Sequence, residues 1–162
     1  MFSRKVVIAA SAMSLICPVL FLSGFSLKTD RTIHDLAFET QVKLNQFYNG
    51  DTEALKLKRF ELLITDDGFI RYKKISASGK QEYFSFNLNR YKDLKYLGNT
   101  ESGNLVLLTM DDDVIVQTFN DPKGNMDSMS RYLNLPLKNV EPNDLHFIET
   151  NLMQIKKELE KN

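Results

Sequence analysis

The residue types that carry most catalytic chemistry are scarce in this 162-residue chain. Its single cysteine, Cys17, lies in an uncharged apolar segment, and its two histidines, His34 and His146, lie near opposite ends of the remaining sequence. Nucleophilic catalysis needs an activated thiol or hydroxyl beside a base. No Gly-x-Ser-x-Gly, His-x-x-x-His, Cys-x-x-Cys or phosphate-binding glycine motif occurs. We therefore predict that the protein is not an enzyme and has no catalytic residue, metal or cofactor.

The two histidines are the candidate functional residues that remain. His34 is predicted near the start of a helix that follows the apolar segment, and His146 in the first turn of the last helix. An imidazole with a pKa near 6.5 becomes charged when its compartment acidifies below that value. Both residues are therefore candidates for a pH-responsive role. The alternative is that they are surface or half-buried histidines without a function.

An acidic triplet is the strongest candidate for a cation site. Asp111, Asp112 and Asp113 could bind Ca²⁺, which takes several oxygen ligands. The downstream Asp121 and Asn125 do not complete a calcium loop with its closing Glu. Because the triplet separates two apolar segments, we favour an acidic turn between strands, with calcium binding as the alternative.

Two further sets of side chains could form binding surfaces. A basic set could form a patch on one hairpin, and its members are Lys56, Lys58, Arg59, Arg71, Lys73 and Lys74. An aromatic set could form a binding platform, and its members are Tyr83, Phe84, Phe86, Tyr91 and Tyr96. We favour a solvated strand face for the first set and core and cross-strand packing for the second. The formal net charge of zero argues against direct nucleic-acid binding, which needs a strongly basic surface.

The elements that position these residues follow an apolar N-terminal segment. Residues 6–27 carry no charged side chain, and about 20 such residues form a helix that spans a hydrocarbon core of about 30 Å. We therefore favour an uncleaved transmembrane anchor in residues 1–27. Cleavage just before Leu27, with Gly24 and Ser26 at the spacing a signal peptidase recognises, is the alternative. Lipid attachment at Cys17 is excluded because the preceding Ile16 is not small.

The basic residues predict the orientation of the anchor. Arg4, Lys5 and the amino terminus outweigh the basic residues that follow the apolar segment, so the N-terminus is cytoplasmic. Residues 28–162 then form a single periplasmic domain on a single-pass protein of the bacterial inner membrane. If the leader is cleaved, the domain is secreted to the periplasm. The absence of cysteine from this domain agrees with a bacterial envelope.

Periodicity predicts the elements of residues 28–162. Residues 32–48 repeat apolar side chains at helical spacing, with Thr32 and Asp35 as a capping pair and Asn49-Gly50 as a left-handed stop. From residue 57 the apolar period changes to two, which predicts short antiparallel strands separated by turns. The predicted strands are residues 57–64, 69–75, 83–88, 94–97, 105–110 and 114–119.

The C-terminal part is predicted to be helical. A short helix is predicted over residues 126–133 and ends near Pro136, and the last helix begins at Pro142. This last helix has a narrow apolar seam that consists of Leu145, Ile148, Leu152, Ile155 and Leu159. The predicted fold class is α+β: a membrane helix, then a helix, an antiparallel β-meander of about six strands, and a C-terminal helix. The meander forms a curled sheet or a partial barrel.

This plan resembles the small membrane-anchored periplasmic co-regulators encoded beside membrane-bound transcription activators, of the ToxS type and the PsaF/MyfF type. The resemblance rests on residues 1–5 (MFSRK), the apolar residues 6–27, the size of the chain and a meander without disulfides. It implies an accessory protein that binds the periplasmic domain of a single-pass activator, protects it from proteolysis and helps it respond to envelope conditions. No motif matches position by position, so no functional residue is carried over.

Two other functions fit the same sequence. The domain could be a periplasmic ligand-binding module that uses the curled sheet as a pocket, or an assembly factor of an envelope machine. An aromatic-lined cavity would favour the first, whereas an apolar groove or an open strand edge would favour a protein partner. A hydrolase would require a histidine–acid pair in a cleft.

Replacing residues 1–27 by a cleavable signal peptide is expected to leave a folded, water-soluble domain, because the predicted core lies wholly downstream. Circular dichroism and a single cooperative thermal transition of the purified domain measure this outcome. Aggregation of the exported domain would show that the boundary lies elsewhere.

Overall fold

The computed structural model describes residues 31–52 and 56–161. The predicted membrane anchor, residues 1–27, and the predicted boundary at residue 28 lie outside these residues. Among the described helices, none is long and apolar enough to cross a membrane. In chain order the elements are α1 (Ile33–Phe47), β1 (Leu57–Ile64), β2 (Phe69–Ser76), β3 (Gln81–Asn87), β4 (Tyr91–Gly98), β5 (Ser102–Thr109), β6 (Val114–Phe119), β7 (Asp127–Ser130), β8 (Tyr132–Lys138) and α2 (Pro142–Leu159).

The predicted α+β class is confirmed: antiparallel strands lie between one helix at each end of the described chain. Each of the six predicted strands is present, within a few residues of its predicted bounds. The structure has eight strands rather than about six, and they form two sheets rather than one. The strands of the described residues do not close into a barrel.

The short helix predicted over residues 126–133 is wrong, because these residues belong to β7 and β8. Met126, Met129 and Leu133 have the spacing of a helix, but the chain is not helical here. The period of two continues instead through the buried Leu133, Leu135 and Leu137. Pro136, predicted to end a helix, lies within β8, an edge strand, where a missing N–H is tolerated.

Helix α1 begins as predicted and ends differently. The Thr32 side chain accepts from the Asp35 N–H at 3.1 Å, and the Asp35 carboxylate accepts from the Thr32 N–H at 3.0 Å, so the capping box is complete. The predicted left-handed stop at Asn49-Gly50 is wrong. The chain leaves the helix at Tyr48, whose backbone is extended at φ −56° and ψ 131°.

Three consecutive pairs of strands pass from one sheet to the other at a common corner. The five-stranded sheet has the order β1-β2-β3-β6-β7, and the three-stranded sheet has the order β4-β5-β8. The chain continues from β3 into β4, from β5 into β6 and from β7 into β8, so the two sheets carry these pairs in the same lateral order. The architecture is therefore a meander that bends sharply, extended on one side by the β1–β2 hairpin.

The two helices pack against each other in opposite directions. Lys43 near the end of α1 pairs with Asp144 at the start of α2. At the other end, Arg31 Nη2 donates to Asn151 Oδ1 at 3.2 Å. Between these polar contacts, Leu36 and Leu44 of α1 are buried with Ile148 and other seam residues of α2.

The core lies between this helix pair and the sheets. The three-stranded sheet contributes alternate residues that are fully buried, among them Leu105, Leu107 and Leu135, and the five-stranded sheet contributes Ile70 and Phe86. The predicted seam of α2 is confirmed: Ile148, Leu152 and Ile155 are buried, and Leu145 and Leu159 pack against the core while partly exposed. All of these residues belong to one contiguous hydrophobic cluster, which supports a single domain.

Gly68 lies in the β1–β2 turn and is close to the side chain of Leu159 at the end of α2. It is the last residue of the turn that begins at Thr65, since its N–H donates to the Thr65 carbonyl at 2.9 Å, and its φ of 81° favours glycine. A Cβ atom at this position would also require the Leu159 side chain to move. The left-handed backbone is therefore the main reason for glycine in this turn.

Leu152→Asp is expected to lower the free energy of unfolding by several kcal/mol, because it places an unpaired charge in the fully buried seam. Met153→Asp is the matched control, since its neighbour Met153 is 58 % exposed on the same helix. Urea unfolding of both variants measures the difference. Equal stability of the two variants would mean that the seam faces solvent or a partner.

Candidate functional site

The structure does not bring the two candidate histidines together. His34 lies in the first turn of α1, where its Nδ1 is 3.0 Å from the Asp66 carboxylate in the β1–β2 turn, and both side chains are 69 % exposed. His146 is exposed in the first turn of α2, beside the opposite end of α1. The two residues therefore cannot act as one site. A pH-responsive role for either residue stays a prediction.

The acidic triplet forms the turn between β5 and β6, as favoured from the sequence, and it lies at the corner where the strands change sheets. Arg90 Nε donates to Asp113 at 2.9 Å and Arg90 Nη2 to Asp111 at 3.1 Å. Arg131 Nε donates to Asp112 at 3.2 Å. Each carboxylate is thus engaged by an arginine from a neighbouring strand connection. Within the described ranges, no group of three or more His, Cys, Asp or Glu side chains could hold a metal ion.

The basic set is divided between the two faces of the five-stranded sheet. Cross-strand pairing places Arg71 and Lys73 on the face that bears Leu63 and Tyr83, and alternation places Lys74 on the opposite face. Lys74 Nζ pairs with Glu82 at 2.9 Å, and its side chain is only 15 % exposed. A single basic patch made of all six residues is therefore wrong.

Most of the aromatic set contributes to packing, as favoured from the sequence. Phe86 and Tyr91 are buried, and burial raises the pKa of the Tyr91 hydroxyl. Phe84 stacks on Tyr72, with ring centroids 5.7 Å apart. Tyr48, which is not in the predicted aromatic set, stacks on Phe60 with ring centroids 3.7 Å apart, and its hydroxyl lies 2.6 Å from that of Tyr72.

One candidate binding feature is a groove between the two sheets, which we call the inter-sheet groove. It has a volume of about 500 Å³ and is open on one side. One wall consists of residues of β5 and β8, most of which alternate with the buried leucines, and the other consists of residues of β2, β3, β6 and β7. The lining residues are Thr52, Lys74, Phe84, Ser102, Gly103, Asn104, Val116, Ser128, Met129, Ser130, Tyr132, Asn134 and Pro136.

The lining of the inter-sheet groove is mixed in polarity and electrically almost neutral. Hydroxyl and amide side chains alternate along it with apolar ones such as Phe84 and Val116. Among the described lining residues the one cation is Lys74, which lies over the Phe84 ring at 5.6 Å and is paired with Glu82. Burial raises the pKa of Glu82, and the hydrogen bonds and charges of Lys74 and Lys80 outweigh this effect, so the pKa is lowered overall. The carboxylate therefore stays ionised and neutralises Lys74.

Strand edges differ in how well they are protected. The outer edge of β1 is covered by α1, because Gln41 Oε1 accepts from the Ile64 N–H at 2.9 Å and Asn45 Nδ2 donates to the Leu62 carbonyl at 3.2 Å. The outer edge of β4 carries exposed charged residues that include Lys92 and Lys95, a common protection against pairing. The remaining two edges, β7 and β8, border the inter-sheet groove.

A second apolar surface lies on the other face of the five-stranded sheet. Leu63, Ile115 and Met129 stand in one cross-strand row with Arg71 and Ser85. All three apolar side chains of this row are exposed, as is Phe119 nearby. From β1 to β6 this row lies on strands that are paired on both sides or covered by α1, so it offers mainly apolar contact.

Comparison with known proteins gives no information on function, so a functional assignment depends on the surfaces described above. No family model, no curated protein and no solved structure matches this chain. The residues that line the β8 wall were not identified from the sequence, because residues 126–133 were predicted to be helical. The alternation of Leu133, Leu135 and Leu137 is the signal that could have revealed this strand and its exposed side.

Asp113→Asn is expected to lower the free energy of unfolding at pH 7 by about 1 kcal/mol, since it weakens a charged hydrogen bond from Arg90. Burial raises the pKa of Asp113, but the hydrogen bonds from Arg90 and from the Asp111 N–H lower it below its ordinary value overall. The carboxylate therefore stabilises the fold above the unfolded pKa, and this stabilisation is lost as pH falls through the folded pKa. Urea unfolding from neutral to acidic pH measures the effect.

Asp112→Asn is the matched control for this prediction. Asp112 pairs with Arg131, but both side chains are more than half exposed, so little stability is expected to depend on them. The stability difference between the two variants should shrink in acid. A difference that stays constant down to low pH would contradict the assigned role of the Asp113 carboxylate.

Proposed function

We propose that this protein is a non-catalytic, membrane-anchored periplasmic accessory protein that binds a single-pass membrane transcription activator and stabilises or modulates it. The N-terminal sequence supports the anchor and its orientation: residues 6–27 are uncharged and follow Arg4 and Lys5. The proposed partner crosses the same membrane, so it carries the signal to the cytoplasm.

One observation carries the assignment to a protein partner: the inter-sheet groove is bordered by the edge of β8, which the described chain covers only in part, through Tyr48-Asn49. Proteins normally cover or charge such edges because they pair readily with other chains. Here α1 covers the edge of β1 and charges protect that of β4, whereas β8 is left beside an open groove. This contrast supports a surface that is kept available for a protein partner.

A ligand-binding module is the second candidate, and the size of the groove favours it. A volume of about 500 Å³ lies within the range of about 300–1,000 Å³ that is typical of small-molecule sites. Such sites are usually enclosed and predominantly apolar, however, and this groove is open and lined by many hydroxyl and amide groups. We therefore place the protein partner first. An assembly factor of an envelope machine would use the same groove for a different protein.

Photo-crosslinking in whole cells tests this function. Tyr132→benzoylphenylalanine places a photoreactive ring in the groove, because Tyr132 lines it and is 50 % exposed. We expect one covalent adduct, identified by mass spectrometry as a single-pass membrane protein with a cytoplasmic DNA-binding domain. We also expect deletion of this protein to lower the steady-state level of that activator several-fold, because a bound periplasmic domain is less accessible to proteases.

Met153→benzoylphenylalanine is the control, because Met153 is similarly exposed but lies on α2, outside the groove. Equal adduct formation from both positions would indicate nonspecific proximity and would contradict the proposal. Capture of a component of a secretion or conjugation machine would support the assembly factor instead. Tight binding of a small molecule with no protein adduct would support the ligand-binding module.

A further inference from the structure

The backbone of β8 has one satisfied side and one open side. The Thr109 N–H donates to the Arg131 carbonyl at 2.9 Å, and this bond places the odd-numbered backbone groups of the strand toward β5. Successive backbone groups of a strand point to opposite sides, so those of Tyr132, Asn134 and Pro136 point away from β5. β8 is the last strand of its sheet, and no further strand of the described chain pairs with it there.

Two of these three positions are already occupied by other parts of the chain. The Asn49 N–H donates to the Pro136 carbonyl at 2.9 Å, and Tyr48 forms an isolated antiparallel bridge with Leu137. The Ser130 hydroxyl donates to the Tyr132 carbonyl at 3.1 Å and accepts from the Tyr132 N–H at 3.3 Å. Asn134 lies between them, exposed and facing the inter-sheet groove.

The segment Tyr48-Asn49 is the beginning of a fourth strand that the chain does not complete. It forms one rung beside β8, and the chain then turns away into the 3-10 turn Gly50–Thr52. A strand that continued past this rung would reach Asn134 and lie along the groove. Within the described part of the chain, the backbone and the groove therefore leave the same place open: strand positions beside β8, with a groove to hold the side chains of an added strand.

We propose that the inter-sheet groove receives an extended segment of the partner, which pairs with the open edge of β8 through the backbone N–H and carbonyl of Asn134. This inference rests on the proposed function, since it names how the activator is held. The bound segment is uncharged and has apolar side chains at alternate positions. Such a segment fits the groove, because Phe84 and Val116 supply apolar contacts and the charge of Lys74 is neutralised by Glu82.

The position of Pro136 indicates that a proline at residue 134 leaves the sheet intact. Pro136 lies in β8 on the same side of the backbone as Asn134, and the pairing of β5 with β8 continues through it. A proline at residue 134 would likewise remove an N–H that points away from β5. It would also block the approach of a new strand, since the ladder needs this donor.

The test compares Asn134→Pro with Asn134→Ser in the full-length protein, each combined with the photoreactive residue at position 132. Asn134→Ser removes the amide side chain but keeps the backbone N–H. We expect Asn134→Pro to reduce the activator adduct at least tenfold and Asn134→Ser to leave it within twofold. Thermal unfolding of both variants checks that they are folded. Loss of the adduct in both variants would mean recognition of the side chain and would overturn the proposal.

Hydrogen exchange gives a second measurement that does not depend on a substitution. In the full-length protein co-purified with its activator, the Asn134 amide is expected to exchange at least tenfold more slowly than in the protein alone. The amide of Leu97, on the exposed part of β4, is the control and should not change. Strand pairing is overturned if the Asn134 amide exchanges equally fast in the complex, or if Asn134→Pro does not reduce the adduct. Either result leaves the proposed function standing. If the protein that keeps Asn134 and carries the photoreactive residue at position 132 forms no activator adduct, the proposed function itself is overturned.

Discussion

The sharp bend of three strand pairs at one corner is the constraint on which the rest of the structure depends. At this corner Arg90 and Arg131 bind the acidic turn of residues 111–113, and backbone hydrogen bonds from Thr109 and Met110 join the same connections. The bend allows one hydrophobic cluster to collect buried residues from both sheets and both helices. The two sheets remain separated beyond this cluster, and the inter-sheet groove lies between them. The ion pairs of Asp111 and Asp112 are exposed and add little each, whereas the Arg90–Asp113 pair is less exposed, and the strand pairing on either side supplies most of the order.

The strand edges of this fold are protected to different extents, and this difference is the basis of the proposed binding mode. An unpaired strand edge invites association with other chains, and here one edge is covered by helix side chains and another carries charges. Gln41 supplies an acceptor to β1 and Asn45 supplies a donor, as the backbone of a neighbouring strand would. At β8 the chain supplies only the single rung of Tyr48-Asn49 before it turns away. The exposed apolar row that contains Ile115 is a separate surface, and from β1 to β6 its strands are paired on both sides or covered by α1, so it offers mainly apolar contact.

The local patterns of the sequence predicted most of the fold and little of the candidate site. Apolar periodicity, the Thr32–Asp35 capping pair and the turn residues define both helices and the first six strands, because each depends on neighbours along the chain. Residues 126–133 have three apolar side chains at the spacing of a helix, but the chain is not helical here, and β8 continues beyond them through Leu137. The division into two sheets and the open side of β8 depend on pairing between distant segments. The leucine alternation could have indicated the strand itself, but no local pattern shows which strands pair, so the groove and the open edge at Asn134 became visible only in the structure.

A short strand pairing is weak, and the predicted membrane anchor explains why a weak contact is sufficient. A net gain of about 0.5–1.5 kcal/mol per hydrogen bond, from the few bonds available at Asn134 and its neighbours, is far from the affinity of a stable complex in solution. Two proteins held in one membrane meet at an effective concentration that short tethers raise to the millimolar range. The predicted anchor ends at residue 27 and α1 begins at Ile33, a separation that an extended chain spans in about 20 Å. The same groove that would bind a free peptide weakly can therefore be occupied by a neighbour in the membrane, and its occupancy can respond to small changes in that neighbour.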